Sequence, residues 1–66
     1  MPFINVKMAG PEPTTEQKQE LITQITDTFV NVLGKNKDRV MIMLEILPDE
    51  NIGVGAKTIK QIKEGK

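Results

Sequence analysis

The sequence has no cysteine, histidine, tyrosine, tryptophan or serine. Each absence removes a chemistry. Without cysteine there is no disulfide, no thiolate nucleophile and no thiolate metal site. Without histidine the commonest metal ligand and the commonest general base are missing. Without serine the usual hydroxyl nucleophile is gone. The only aromatics are Phe3 and Phe29, and nine basic residues balance nine acidic ones. There is no phosphate-neutralising stripe and no stacking platform, so nucleic-acid binding has little support and is not expected. The longest uncharged apolar stretch is too short to span a bilayer. Met-Pro-Phe-Ile-Asn-Val-Lys carries no charged leader ahead of an apolar core, so it does not read as a signal peptide. With no cysteine and no export signal, the expected compartment is the cytoplasm.

What remains is a chain of 66 residues, read as one domain over 1–66. A domain this small leaves much of its surface exposed and needs a disulfide, a metal or a partner to be stable. Composition removes the disulfide and the commonest metal ligands, so a homo-oligomer is expected.

Residues 3 to 8 alternate, with Ile4, Val6 and Met8 on one side and Phe3, Asn5 and Lys7 on the other. This is the pattern of a strand with one drier face. Ala9-Gly10-Pro11-Glu12-Pro13 ends it in a loop. Thr14 is a helix N-cap, and Gln17 completes a capping box. Leu21, Ile22, Ile25, Phe29, Val32 and Leu33 trace an apolar stripe. Gly34 supplies a left-handed stop. A helix over 15–33 is therefore predicted, roughly 28 Å long. After a polar turn at 35–38, the run 39–47 is apolar at both parities, which suits a strand covered on both faces. Strand, helix, strand reads as an α/β fold built on one βαβ unit with parallel strands and a right-handed crossover. One helix covers one face of that sheet. The other face, with Met41 and Met43, calls for another subunit. Ile52 to Ala56, with glycine at alternate positions, suits a short hairpin. The tail, Lys57 to Lys66, is basic and expected to fray towards its end.

The catalytic inventory is thin. The carboxylates are scattered and read as solvated charges. Glu45 alone interrupts an apolar strand, which suits an edge position or a lysine opposite it in a neighbouring subunit. The unusual group is Pro2. Removal of Met1 turns its amide nitrogen into a secondary amine. In an apolar pocket the charged amine is desolvated and its pKa falls, which suits a base working near neutral pH. The rigid ring fixes the direction of the lone pair.

Met1-Pro2, the short strand, the loop and Glu16-Gln17-Lys18-Gln19-Glu20-Leu21-Ile22 resemble the 4-oxalocrotonate tautomerase family. Val40-Met41-Ile42-Met43-Leu44-Glu45 resembles the family's second strand, and Asn51-Ile52-Gly53-Val54-Gly55-Ala56 its aromatic-Gly-x-Gly-Gly hairpin. The resemblance spans nearly the whole chain. It implies a homohexamer built as a trimer of dimers. It also implies keto–enol isomerisation of small unsaturated 2-keto acids, with Pro2 as proton carrier and with no metal or organic cofactor. Two family arginines have no counterpart: Pro13 stands at the first position and Met41 at the second. Ile52 replaces the hairpin aromatic. Arg39, Met41 and Ile52 are thus the candidate substrate contacts beside the catalytic Pro2, and Arg39 is the only arginine. Lys7, Lys35, Lys37 and Lys57 are further sources of positive charge that the sequence does not rank. Two other readings stay open. One is an oligomer of the same fold with little activity and a binding or structural role. The other is a different proline-dependent reaction of small unsaturated acids, such as hydration, dehalogenation or decarboxylation.

Overall fold

The structure, a computed structural model, describes residues 2–65. Strand β1 (Phe3–Ala9) leads through the proline-rich loop into helix α1 (Thr15–Leu33). A 3-10 turn (Lys37–Arg39) precedes strand β2 (Met41–Leu47). A second 3-10 turn (Asp49–Asn51), the short strands β3 (Gly53–Val54) and β4 (Lys57–Thr58), and helix α2 (Ile59–Glu64) complete the chain.

The helix is bounded as its sequence dictates. The Thr14 hydroxyl accepts the Gln17 N–H at 3.1 Å, and the Gln17 side chain accepts the Thr14 N–H at 2.9 Å. Gly34, at φ 68°, turns the chain out of the helix while its N–H reaches back to Val30.

β1 and β2 pair in parallel, Phe3 opposite Met41 through Ala9 opposite Leu47. Side chains alternate, so Ile4, Val6, Met8, Ile42, Leu44 and Ile46 share the half-buried face, and α1 packs against the sheet. Leu21, Ile25 and Phe29 are half-buried on the helix, together with Val30. Ile22, Val32 and Leu33 are exposed. The single stripe read from the sequence is thus two: an inner row, and an outer apolar edge. Val32 and Leu33, with Phe29 and Thr28, line a shallow cup of about 130 Å³.

Two local expectations are corrected, and Glu45 is placed. β2 begins at Met41 rather than 39, because the Asn36 side chain accepts the Asp38 N–H and the Asn36 carbonyl accepts the Arg39 N–H. That closure holds 37–39 in a turn. β2 lies at a sheet edge, as one of the two readings of Glu45 expected, and Glu45 meets Lys7 of its own chain at 3.7 Å. Within the tail, Ile59–Glu64 form the helix α2, which was not expected, capped by a second box in which Thr58 and Gln61 exchange bonds of 2.8 and 3.0 Å; the last residue, Lys66, lies outside the described residues. Ion pairs of Lys63 with Asp49 (2.9 Å) and of Lys60 with Glu50 (3.9 Å) fasten it to the second 3-10 turn.

The molecule measures 45 × 24 × 15 Å, with a radius of gyration of 15.2 Å. A compact chain of this length has a radius near 11 Å, roughly. Its surface is 5135 Å², where a compact monomer of this mass exposes about 4,200 Å². Among the described residues none is fully buried. The thinnest dimension fits one helix laid on one sheet. The sheet's other face is open, with Phe3 60%, Met41 47% and Met43 43% exposed. No helix among the described residues is long and apolar enough to cross a membrane.

Candidate active site

Pro2 lies half-buried at the edge where both strands begin. Its carbonyl accepts the Met41 N–H at 3.0 Å, adding a rung to the ladder below the Phe3–Met41 pair. The parallel register follows from the crossover through α1. That topology lays the start of β2 beside the start of β1, and therefore beside residue 2. Helix α1 connects the end of β1 to the start of β2. Its C-terminus and the connector 34–40 consequently lie at the Pro2 end.

Of the candidate contacts, Met41 is a direct neighbour of Pro2. It stands on the open face of the sheet, opposite Phe3. Arg39 is exposed in the 3-10 turn. Two residues of chain, at most about 7 Å, separate it from Met41. Ile52 is not brought there. It follows β2, whose seven residues hold it about 20 Å from the Pro2 end of the sheet. Its carbonyl is occupied by the Ile59 N–H at 2.8 Å, which ties it into the C-terminal arm. Within one chain Pro2, Met41 and Arg39 are neighbours and Ile52 is remote.

Phe3 belongs in the same description and was not singled out as a site residue. It is exposed directly after Pro2, and its phenyl is the largest apolar group on the open face. The available signal was a large aromatic at a strand parity otherwise held by Asn5 and Lys7. Of the four lysines considered as charge sources, Lys7 is paired with Glu45. Lys57 lies in β4. Lys35 and Lys37 lie on the connector at the Pro2 end. Among the described residues no group of three or more carboxylates can hold a metal ion.

The arrangement offers one nitrogen on a rigid ring, apolar surface from Phe3 and Met41, and cations two to six residues before Met41. Residues 2–62 match the family described as "Tautomerase enzyme". A probable tautomerase of Helicobacter pylori is 40% identical over 67 residues, covering 97% of each chain. One of Campylobacter jejuni is 40% identical over 63 residues, covering 96% of this chain and 93% of its own. The crystal structure of DmpI from Helicobacter pylori superposes with a TM-score of 0.88 at 35% identity, covering 96% of this chain and 97% of that one. A 4-oxalocrotonate tautomerase isozyme from Methylibium petroleiphilum reaches 0.91 at 26% identity, covering 98% and 100%. The chain belongs to the tautomerase family, among the proteins that resemble 4-oxalocrotonate tautomerase.

Proposed function

We propose that this protein interconverts enol and keto forms of small unsaturated 2-keto acids, with the amine of Pro2, freed by removal of Met1, as general base. The observation that carries the reading is Pro2 itself, held against Met41 in a chain of tautomerase sequence and fold. The amine takes the proton of the enol hydroxyl, and the electron pair moves through the conjugated system to carbon. The same nitrogen then delivers the proton to that carbon. One O–H bond breaks, one C–H bond forms, and no electron is gained or lost overall. No metal or organic cofactor is required by this sequence of bonds.

The base needs an apolar setting, since desolvation disfavours its charged form. Phe3 and Met41 supply part of it. In this reading Ile52 supplies another part, and its distance along the chain from Pro2 requires that it come from a neighbouring subunit. The open sheet face and the surface excess favour assembly, which in this reading is a homohexamer arranged as three dimers. Arg39 holds the substrate carboxylate in place of the arginines whose positions Pro13 and Met41 occupy. An exposed arginine reached from the rim grips less firmly than one built into a strand, so turnover is weak and monocarboxylate enols are taken as readily as dicarboxylates.

The test is a spectrophotometric tautomerase assay with a phenylenolpyruvate-type compound, on protein whose N-terminal mass is verified. Trimmed protein should turn it over, and a form retaining Met1 should not. Full activity with Met1 in place would overturn the assignment.

A further inference from the structure

We propose that the connector Lys35 to Arg39 is the anion-recruiting element of the site. On this reading Lys37 and Arg39 act together on the carboxylate of an unsaturated monocarboxylate substrate. This rests on the assignment of Pro2 as the base, and it adds Lys37 to the residues that hold substrate.

The chain is neutral overall, yet its cations are not used alike. Lys7, Lys18, Lys60 and Lys63 each pair with a carboxylate: Glu45, Glu12, Glu50 and Asp49. Among the described residues, Lys35, Lys37, Arg39 and Lys57 have no such partner. Three of those four fall within five residues, with only Asp38 opposing them. This excess sits at one end of the molecule, where β2 begins and where the Met41 N–H is bonded to the Pro2 carbonyl.

The segment is also held in place. Asn36 accepts the N–H groups of Asp38 (3.0 Å) and Arg39 (2.9 Å), and the Lys37 carbonyl accepts the Val40 N–H at 3.3 Å. The 3-10 turn packs against α1. The cations therefore stand on a short, internally bonded turn fixed at both ends, by the helix and by the sheet. Positive charge near a helix C-terminus also complements the helix dipole. That benefit falls off beyond the last turn, and one lysine at position 35 would satisfy it. It gives no reason for Lys37 and Arg39. Unpaired charges at the mouth of a site raise the local concentration of an oppositely charged ligand, in a manner screened by salt.

The experiment is an NMR titration of the assembled, trimmed protein with cinnamate, an unsaturated aryl monocarboxylate that needs no proton transfer to bind. The expected result is shift changes at the Val40 and Met41 amides. The Kd should rise about tenfold in the Lys37→Gln/Arg39→Gln double variant, and on adding salt to the parent protein. Arg39→Lys should retain most of the affinity, and Lys60→Gln, a paired cation on the C-terminal arm, should bind as the parent does. The methyl ester of cinnamate should bind the double variant and the parent equally. An unchanged Kd in the double variant, shifts away from the connector, or no binding at millimolar ligand would overturn the proposal. Because binding is read without turnover, these outcomes are separate from failure of Pro2 as base. That failure would appear as activity persisting in the Met1-retaining form while cinnamate still binds the connector.

Discussion

The Met41 N–H donates to the Pro2 carbonyl at 3.0 Å. This bond ties residue 2 to a strand that starts 39 positions later in the sequence, and it holds the backbone of the proposed base beside that of Met41. Pro2→Ala leaves that carbonyl in place, so the rung should persist. Trimming then yields a primary amine on a less rigid residue, and tautomerase activity should fall at least about tenfold, a loss of roughly 1.4 kcal/mol in transition-state stabilisation. The oligomer should stay folded by circular dichroism. Wild-type activity in the trimmed Pro2→Ala variant would remove the proline from the mechanism.

The open sheet face should be an interface between copies of this chain. Met43 stands on it, opposite Asn5. Met43→Lys would place an unpaired charge there, at a cost of several kcal/mol, roughly. Sedimentation should then show dissociation or unfolding, while parent protein at micromolar concentration should sediment as an oligomer. Unchanged mass and melting temperature in the variant would place Met43 outside any interface.

The hairpin between β3 and β4 turns on Gly55 and Ala56, both with positive φ, 60° and 69°. Glycine adopts this region freely, whereas alanine is strained there by roughly 1 kcal/mol. Ala56→Gly should therefore raise stability to denaturant by about 0.5 to 1 kcal/mol per subunit. Ala56→Val should lower it by more. A loss of stability on Ala56→Gly would show that the turn adopts another conformation.

Helix α2 depends on its cap. With Thr58 replaced by alanine, the Gln61 N–H loses its side-chain acceptor, at a cost of about 1 kcal/mol. Amide exchange at Gln61 and Ile62 should quicken several-fold while exchange in β1 and β2 is unaltered. Equal protection in the variant would mean that α2 is held by its ion pairs to Asp49 and Glu50 alone.

Much of this molecule was legible in its residues. The alternation of Ile4, Val6 and Met8, the capping box at Thr14 and Gln17, and the stop at Gly34 are short-range patterns set by backbone hydrogen bonding and glycine conformation. They translated directly into β1 and α1. The Thr58–Gln61 box was equally local, but a run of lysines masked it, and α2 went unread within a tail expected to fray towards its end. The exclusion of thiol, imidazole and seryl chemistry also came from composition alone.

Tertiary structure decided what depends on distance. The sequence marked Pro2 as the candidate base; the parallel register decided that Met41 is its neighbour, because only ladder pairing joins positions so far apart. Arg39 stays near Met41 because only two residues of chain link them, whereas the length of a seven-residue strand carries Ile52 away. Charge followed the same rule. Composition showed a neutral chain, and only the fold paired Lys7, Lys18, Lys60 and Lys63 with carboxylates and left Lys35, Lys37 and Arg39 together, because an ion pair forms between groups that packing brings within about 4 Å.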